Sequence, residues 1–490
     1  MNKWKIAGAA LAALLAALVL AAFQRSPQLP EASAALQAAA QGLDECEIDA
    51  SFLPGERTLS VRQTLRLMNR TGQDQNAAVL RAWPNAFQTY DTSPCTAEEK
   101  LTEAFYPDGF SGGYLAMSRV QVNGEVVVYR YTDAAKTVLS VPVPGGWAAN
   151  AEMEIELEYA VKLPHMAYRF GEMNGIYAFG NAFVLPAVWE DGAFRTDEYA
   201  AVGDPFLSDC MNIRVTLTAP AGYACAASAV PQAETSGGQT VFTMEAPAAR
   251  DFALVLSSHY RMAQAMEGDV LVTAYADSPS LAREMLRYAR RSLQVFEGLW
   301  GEYPYQSYTL AQISMPLGGM EYPGLSMITP GEGRELEYVI AHETAHQWWY
   351  ALVGSDGVNQ PWQDEALCEF GVLEYAESVY GASERDDLEQ TRVESALRVT
   401  VSPGVTPGAP LERFGSFSEY ALVVYNRGAA YLCALDRMLP DGLNPFLKEY
   451  ANAYAFGRAS RADFETLLAQ VTGEDLAPLT RDYLDTTILH

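Results

Sequence analysis

An antiparallel β domain followed by a mixed α/β, mainly helical domain is what this chain predicts. Three observations carry the prediction: a length of 490 residues, a period-two pattern up to about Leu256, and helical periodicity from about Ser257 onward. One hydrophobic core stops growing near ~250–300 residues, so length alone divides the chain. In the first part Leu59, Val61, Leu65 and Leu67 alternate with polar neighbours, and Met153, Ile155, Leu157, Tyr159, Val161 and Leu163 do the same. Val120 and Val122 lead through Asn123-Gly124 into Val126 and Val128, the pattern of a two-residue hairpin. Ile213, Val215 and Leu217 add a strand, and the whole of 45–257 reads as an antiparallel β-sandwich or curved sheet. Beyond it, Ser278-Pro279 opens a helix with Leu281, Met285, Tyr288, Ala289, Leu293, Phe296 and Trp300 toward one side. Tyr308 to Ile313 reads as a strand, and helical pattern dominates from Glu335 onward, which defines a second domain at 258–490.

Two segments precede these domains. Lys3 and Lys5 stand before an apolar run from Ile6 to Phe23, an export signal within residues 1–23. The run exceeds the ~7–15 residues of a signal-peptide core and reaches the lower limit of a membrane span, so cleaved leader and anchor both fit. With the lysines inside, everything after residue 25 is expected outside, on the cell membrane or secreted. Residues 24–44, rich in Ala, Gln and Pro, read as a linker. A formal net charge of −28 excludes nucleic acid as a partner, since its binders need clustered Lys and Arg. The six cysteines lack C-x-x-C spacing; an oxidising exterior permits pairing among Cys46, Cys95, Cys210 and Cys225 without specifying it. His165, the one histidine of the β region, reads as a packed or surface residue.

The chemistry concentrates in His342-Glu343-Thr344-Ala345-His346. Histidines four apart share one helix face, so both imidazoles reach one zinc ion, with Glu343 beside it as general base for an attacking water. Catalytic zinc usually takes a third protein ligand. Glu365 follows His346 after eighteen residues, on a helix expected from about Pro361 after a turn at Gly354. Glu369, one turn later, is a rival ligand or an orienting partner, and Cys368 a weaker rival.

The H-E-x-x-H, eighteen residues, then Glu spacing resembles peptidase family M1, the aminopeptidase N-like gluzincins. The resemblance extends over most of the chain and implies a saddle-like β domain followed by a thermolysin-like catalytic domain. The segment Gly318-Gly319-Met320-Glu321-Tyr322 is similar to the family's G-x-M-E-N strand, with Tyr322 in place of Asn. That similarity implies that Glu321 binds the substrate's α-ammonium while Gly318, Gly319 and Met320 border the peptide. Tyr425-Asn426-Arg427-Gly428-Ala429 looks like the family's Y-x-K-G-A, which implies Tyr425 as oxyanion donor, with Tyr420 as fallback. The chain stops 125 residues after Glu365 and is expected to lack the large C-terminal helical domain of longer members. The implied protein is a hydrolase with one Zn2+ per chain that removes residues from peptides with free N-termini. A zinc endopeptidase of the same fold and a non-catalytic peptide-binding module are the rivals; intact Glu343 argues against the second.

Overall fold

Alternating apolar residues make long strands here because every second side chain finds the same buried face. In the computed structural model, which describes residues 29–316 and 318–487, the strand Thr58–Met68 buries Leu59, Val61, Gln63, Leu65 and Leu67 and turns the intervening residues outward. It belongs to an eight-stranded sheet whose order is Gln232–Ser236, Gln239–Ala249, Met211–Pro220, Glu45–Leu53, Thr58–Met68, Glu152–Lys162, Tyr114–Val122 and Glu125–Val126. Neighbours run antiparallel except Glu45–Leu53, which lies parallel to Met211–Pro220. Two four-stranded sheets pack with it, one containing Gln75–Arg81 and Val138–Trp147, the other Ile176–Phe179 and Leu254–Ser257.

The architecture changes after Ser257. A five-stranded sheet runs in the order Arg261–Glu267, Val270–Ala276, Ser307–Gln312, Leu325–Ile328, Gly319–Tyr322, and its last strand is an antiparallel edge. Ser278 caps the helix Pro279–Trp300, accepting from the Leu281 amide, and Met285, Tyr288, Ala289, Leu293, Phe296 and Trp300 are buried. Helices Gly333–Ala345 and Trp362–Tyr380 pack into the same core, followed by shorter helices to Leu484. Arg250 ties the β region to this part: it donates to the carbonyls of Ser208, Tyr350, Leu352 and Gly457.

Several expectations change. The leader at 1–23 lies outside the described residues; among those described, no helix is long and apolar enough to cross a membrane. The described part of the 24–44 linker is docked onto the fold. Ala34–Ala39 is a helix capped by Ser33, Leu36 is buried, and Asn212 and Gln306 donate to the carbonyls of Ala40 and Pro30. Composition made this stretch look like a spacer, but one apolar side chain and two side-chain donors give its backbone partners. The six cysteines are all buried and free. At the Asn123-Gly124 hairpin the second strand is only Glu125–Val126; it is the sheet's edge, and Val128 is exposed.

Candidate active site

The helix Gly333–Ala345 presents its active face because the opposite one is apolar: Leu336, Ile340, Ala341 and Ala345 are buried in the core. His342 and His346 lie one turn apart on the other face, His346 at the helix C-cap. A tight turn anchored by buried Trp348 and Trp349 follows, then the chain returns through Pro361 into the helix Trp362–Tyr380. That helix lays Glu365 against both imidazoles. His342 Nε2 stands 3.2 Å from Glu365 Oε2, His346 Nε2 stands 3.3 Å from it, and the two Nε2 atoms are 3.1 Å apart.

This triangle fits zinc. Ligand atoms placed tetrahedrally at ~2.0–2.1 Å from one ion are roughly 3.3 Å from each other, and two imidazoles with one carboxylate are a usual catalytic zinc donor set. Cys368 forms another possible donor group with His346 and Asp364. Burial pushes its thiol well above the usual range, away from the thiolate a metal requires. Glu369 is no rival ligand in this geometry. It lies 3.6 Å from His342 Nδ1 and 3.0 Å from Arg392 Nη1, on the far side of the ring from the triangle. Asp364 accepts from His346 Nδ1 at 2.6 Å, so each imidazole has a carboxylate beside its outer nitrogen, which would leave Nε2 free to ligate an ion.

Two other carboxylates face the same space with a free oxygen each. Glu343 Oε2 and Glu321 Oε1 are buried and have no hydrogen-bond partner among the described residues. Burial pushes Glu343 up to about 7, against the pull of His342 and His346, and pushes Glu321 well above the carboxylate range. Gly319 is required where these walls meet, since a Cβ there would lie 2.4 Å from the Glu343 carboxyl carbon. Gly318 faces Val339 at an ordinary 3.6 Å.

Tyr425 comes from a π-helical stretch, Ala421–Arg427, and its ring stacks on His342 with centroids 5.4 Å apart. The following helix, Gly428–Met438, approaches closely because position 428 has no side chain: a Cβ would lie 2.6 Å from Ala366 Cβ. Burial, then the negative charge of Glu365, push the Tyr425 phenol well up, so it is a donor at neutral pH. Tyr420 is buried behind it, packed against Phe414, and does not line the cavity. Tyr322 turns away into the β region and donates to Asn181 Oδ1 at 2.7 Å.

A cavity of about 250 Å³ joins these groups: Glu321, Glu343, Tyr425 and the triangle of His342, His346 and Glu365 all border it, as do Gly318, Gly319 and Met320. Its other wall comes from the β region, with Phe105, Tyr168, Arg169 and Asp204. Arg169 pairs with Asp204 and donates to Met320 Sδ and the Tyr168 hydroxyl. These residues carried no signal in the sequence, because nothing in local spacing says that they meet the helices. Asp364 was visible only as a residue beside Glu365.

Residues 285–483 match the family model of the peptidase family M1 domain. Human aminopeptidase B is 27% identical over 190 residues, 34% of this chain and 28% of that protein. Leukotriene A-4 hydrolase of Xenopus laevis is 28% identical over 201 residues, 38% of this chain and 31% of that protein. The matched stretch thus spans less than a third of these relatives. Among solved structures, an M1 zinc metallopeptidase from Deinococcus radiodurans superposes with a TM-score of 0.64 at 19% identity, covering 95% of this chain and 97% of that one. A mutant of the Deinococcus radiodurans M1 zinc metallopeptidase, bound to a Tyr-Ser-Ala substrate, superposes with a TM-score of 0.65 at 19% identity, again over 95% of this chain and 97% of that one. At that identity the likeness is one of fold, two-domain architecture included.

Proposed function

We propose, from the match of residues 285–483 to the peptidase family M1 domain, that this chain is a zinc-dependent aminopeptidase that hydrolyses the first peptide bond of peptides with free N-termini. One observation carries the reading. The triangle of His342, His346 and Glu365 opens onto the same cavity as two carboxylates with unpartnered oxygens, Glu343 and Glu321. Zinc held by the triangle supplies Lewis acidity at the scissile carbonyl and toward the attacking water.

The chain's own groups do the rest. Glu343 takes the water's proton as the first peptide carbonyl is attacked, and delivers a proton to the leaving amine. The Tyr425 hydroxyl donates to the developing oxyanion, where a hydrogen bond made in the transition state lowers the barrier. Glu321 accepts from the α-ammonium, which gives its free oxygen a charged partner and sets the register at residue one. Gly319 keeps the edge strand open to the peptide backbone.

The test compares a peptide with its N-acetylated form, with and without a chelator. Free-amine substrate should be cleaved in a chelator-sensitive way and strongly preferred, and Glu321→Ala should lose most of that activity while slow cleavage of the acetylated form changes little. Internal fragments released from the acetylated peptide as fast as single residues from the free one would make the protein an endopeptidase. Lys3, Lys5 and the apolar run from Ile6 to Phe23 support an extracytoplasmic location, which fractionation of producing cells, with protease accessibility of the domain, would test.

A further inference from the structure

The cavity is acidic, bordered by Asp204, Glu321, Glu343, Glu365 and Glu369, and among the described residues it has two guanidinium groups, Arg169 and Arg392. They are committed differently. Arg169, with 8% of its side chain exposed, is held by Asp204 and the Tyr168 hydroxyl. Arg392 keeps 36% exposure, and its ion pair runs through one nitrogen, Nη1, to Glu369. Its position follows from the π-helical stretch Glu389–Glu394, whose wider turn re-aims side chains that a regular helix would direct elsewhere.

Arg392 also stands at a particular end of the site. Glu321 groups with Glu343 and His346, Gly319 abuts Glu343, and Gly318 faces Val339. A peptide with its ammonium at Glu321 that follows the edge strand toward Gly318 therefore travels along the helix from His346 toward Tyr338. There Arg392 lies 5.5 Å from the Tyr338 ring centroid. At 1.5 Å per residue, the helix from His346 to Tyr338 is roughly 12 Å long. An extended peptide at ~3.3–3.6 Å per residue covers that distance with three residues and a terminal carboxylate.

We propose that Arg392 receives the C-terminal carboxylate of short peptides, tripeptides above all. The proposal rests on the aminopeptidase reading and adds a second fixed point to it: the ammonium is read at Glu321 and the carboxylate at Arg392. In the free protein Glu369 holds the guanidinium in place; a substrate carboxylate takes its unengaged nitrogens, in the forked geometry that guanidinium offers.

The experiment measures initial kcat/KM of the zinc-loaded enzyme on trialanine and trialanine amide, then on the tetra- and penta-alanine pairs. Wild type should favour the free acid about 10-fold at three residues, a modest effect because the pair is open to water. The preference should shrink with length, as the carboxylate passes beyond Arg392. Arg392→Gln should bring the acid-to-amide ratio to within about twofold, and Arg392→Lys should keep part of it. Because the ratio is taken within each enzyme, any loosening of Glu369 and His342 acts on both substrates alike. A wild-type ratio near one, a preference unchanged at five residues, or an Arg392→Gln enzyme with the wild-type ratio would each overturn the proposal while leaving the aminopeptidase standing. Wild type that leaves an unblocked alanine reporter intact would overturn both.

Discussion

Two walls of the cavity present carboxylates in opposite states. On the helix Trp362–Tyr380 every one is engaged: Glu365 with both imidazoles, Asp364 with His346 Nδ1, Glu369 with Arg392 and the His342 ring. Burial works against the ionised form of Glu365, yet hydrogen bonds from the two histidines hold it well below the carboxylate range. Across the cavity, Glu343 and Glu321 are equally buried but each keeps an orphan oxygen, and burial drives both upward. On the proposed function the engaged wall is structural: its charges are neutralised within the protein and would position an ion. The orphan wall is left unsatisfied, at ~1–3 kcal/mol per group, and a water or an ammonium relieves it. On that reading the difference separates the groups that build the site from those that would act on what enters it.

That contrast breaks most severely at Glu343. Glu343→Gln should retain about one zinc per chain by metal analysis, because the engaged wall is untouched, while kcat falls ~10²–10⁴-fold. Activity within about threefold of wild type would assign the base elsewhere. Tyr425→Phe should lower kcat ~10²–10³-fold with little change in KM, since its hydroxyl acts on developing charge. If Tyr420→Phe gave that loss instead, the cavity-facing tyrosine would not be the oxyanion donor.

The engaged wall predicts a different signature. Asp364→Asn should weaken zinc binding ~10–100-fold in a competitive chelator titration, because the amide is a poorer acceptor for the His346 ring N–H. Unchanged affinity would show that packing alone orients the ring.

A buried carboxylate outside both walls gives a control that leaves the chemistry untouched. Asp251 accepts from Asn181 and the Phe252 amide, but burial outweighs both and raises it to about 7. Its folded pKa exceeds the unfolded one near 4, so its contribution to stability is full below about pH 4 and is lost as pH rises toward 7. The loss is at most roughly 4 kcal/mol at ~1.4 kcal/mol per pKa unit. Asp251→Asn should flatten that part of the stability–pH curve, read as the difference in Tm between variant and wild type from pH 4.5 to 7.5. Parallel curves would show that Asp251 does not titrate there.

Much of the molecule was legible in its residues. Alternation marked the long strands around Leu59–Leu67 and Met153–Leu163, and Ser278-Pro279 marked a helix start, because these signals live within a few residues of chain. The docked helix Ala34–Ala39 was missed, since its stability comes from Asn212 and Gln306, far away in sequence.

The same boundary runs through the site. By itself the sequence determined that His342 and His346 share a helix face with Glu343 between them, and that position 428 carries no side chain, because helical spacing and side-chain size are local properties. Only the tertiary structure decided that Glu365, and not Glu369 or Cys368, completes the triangle, that Tyr425 faces the cavity in place of Tyr420, and that Arg169 and Asp204 close the opposite wall. Those outcomes depend on how two helices cross and on π-helical turns that shift side-chain direction by a residue. A 3.6-residue periodicity contains neither, so distances through space had to decide them.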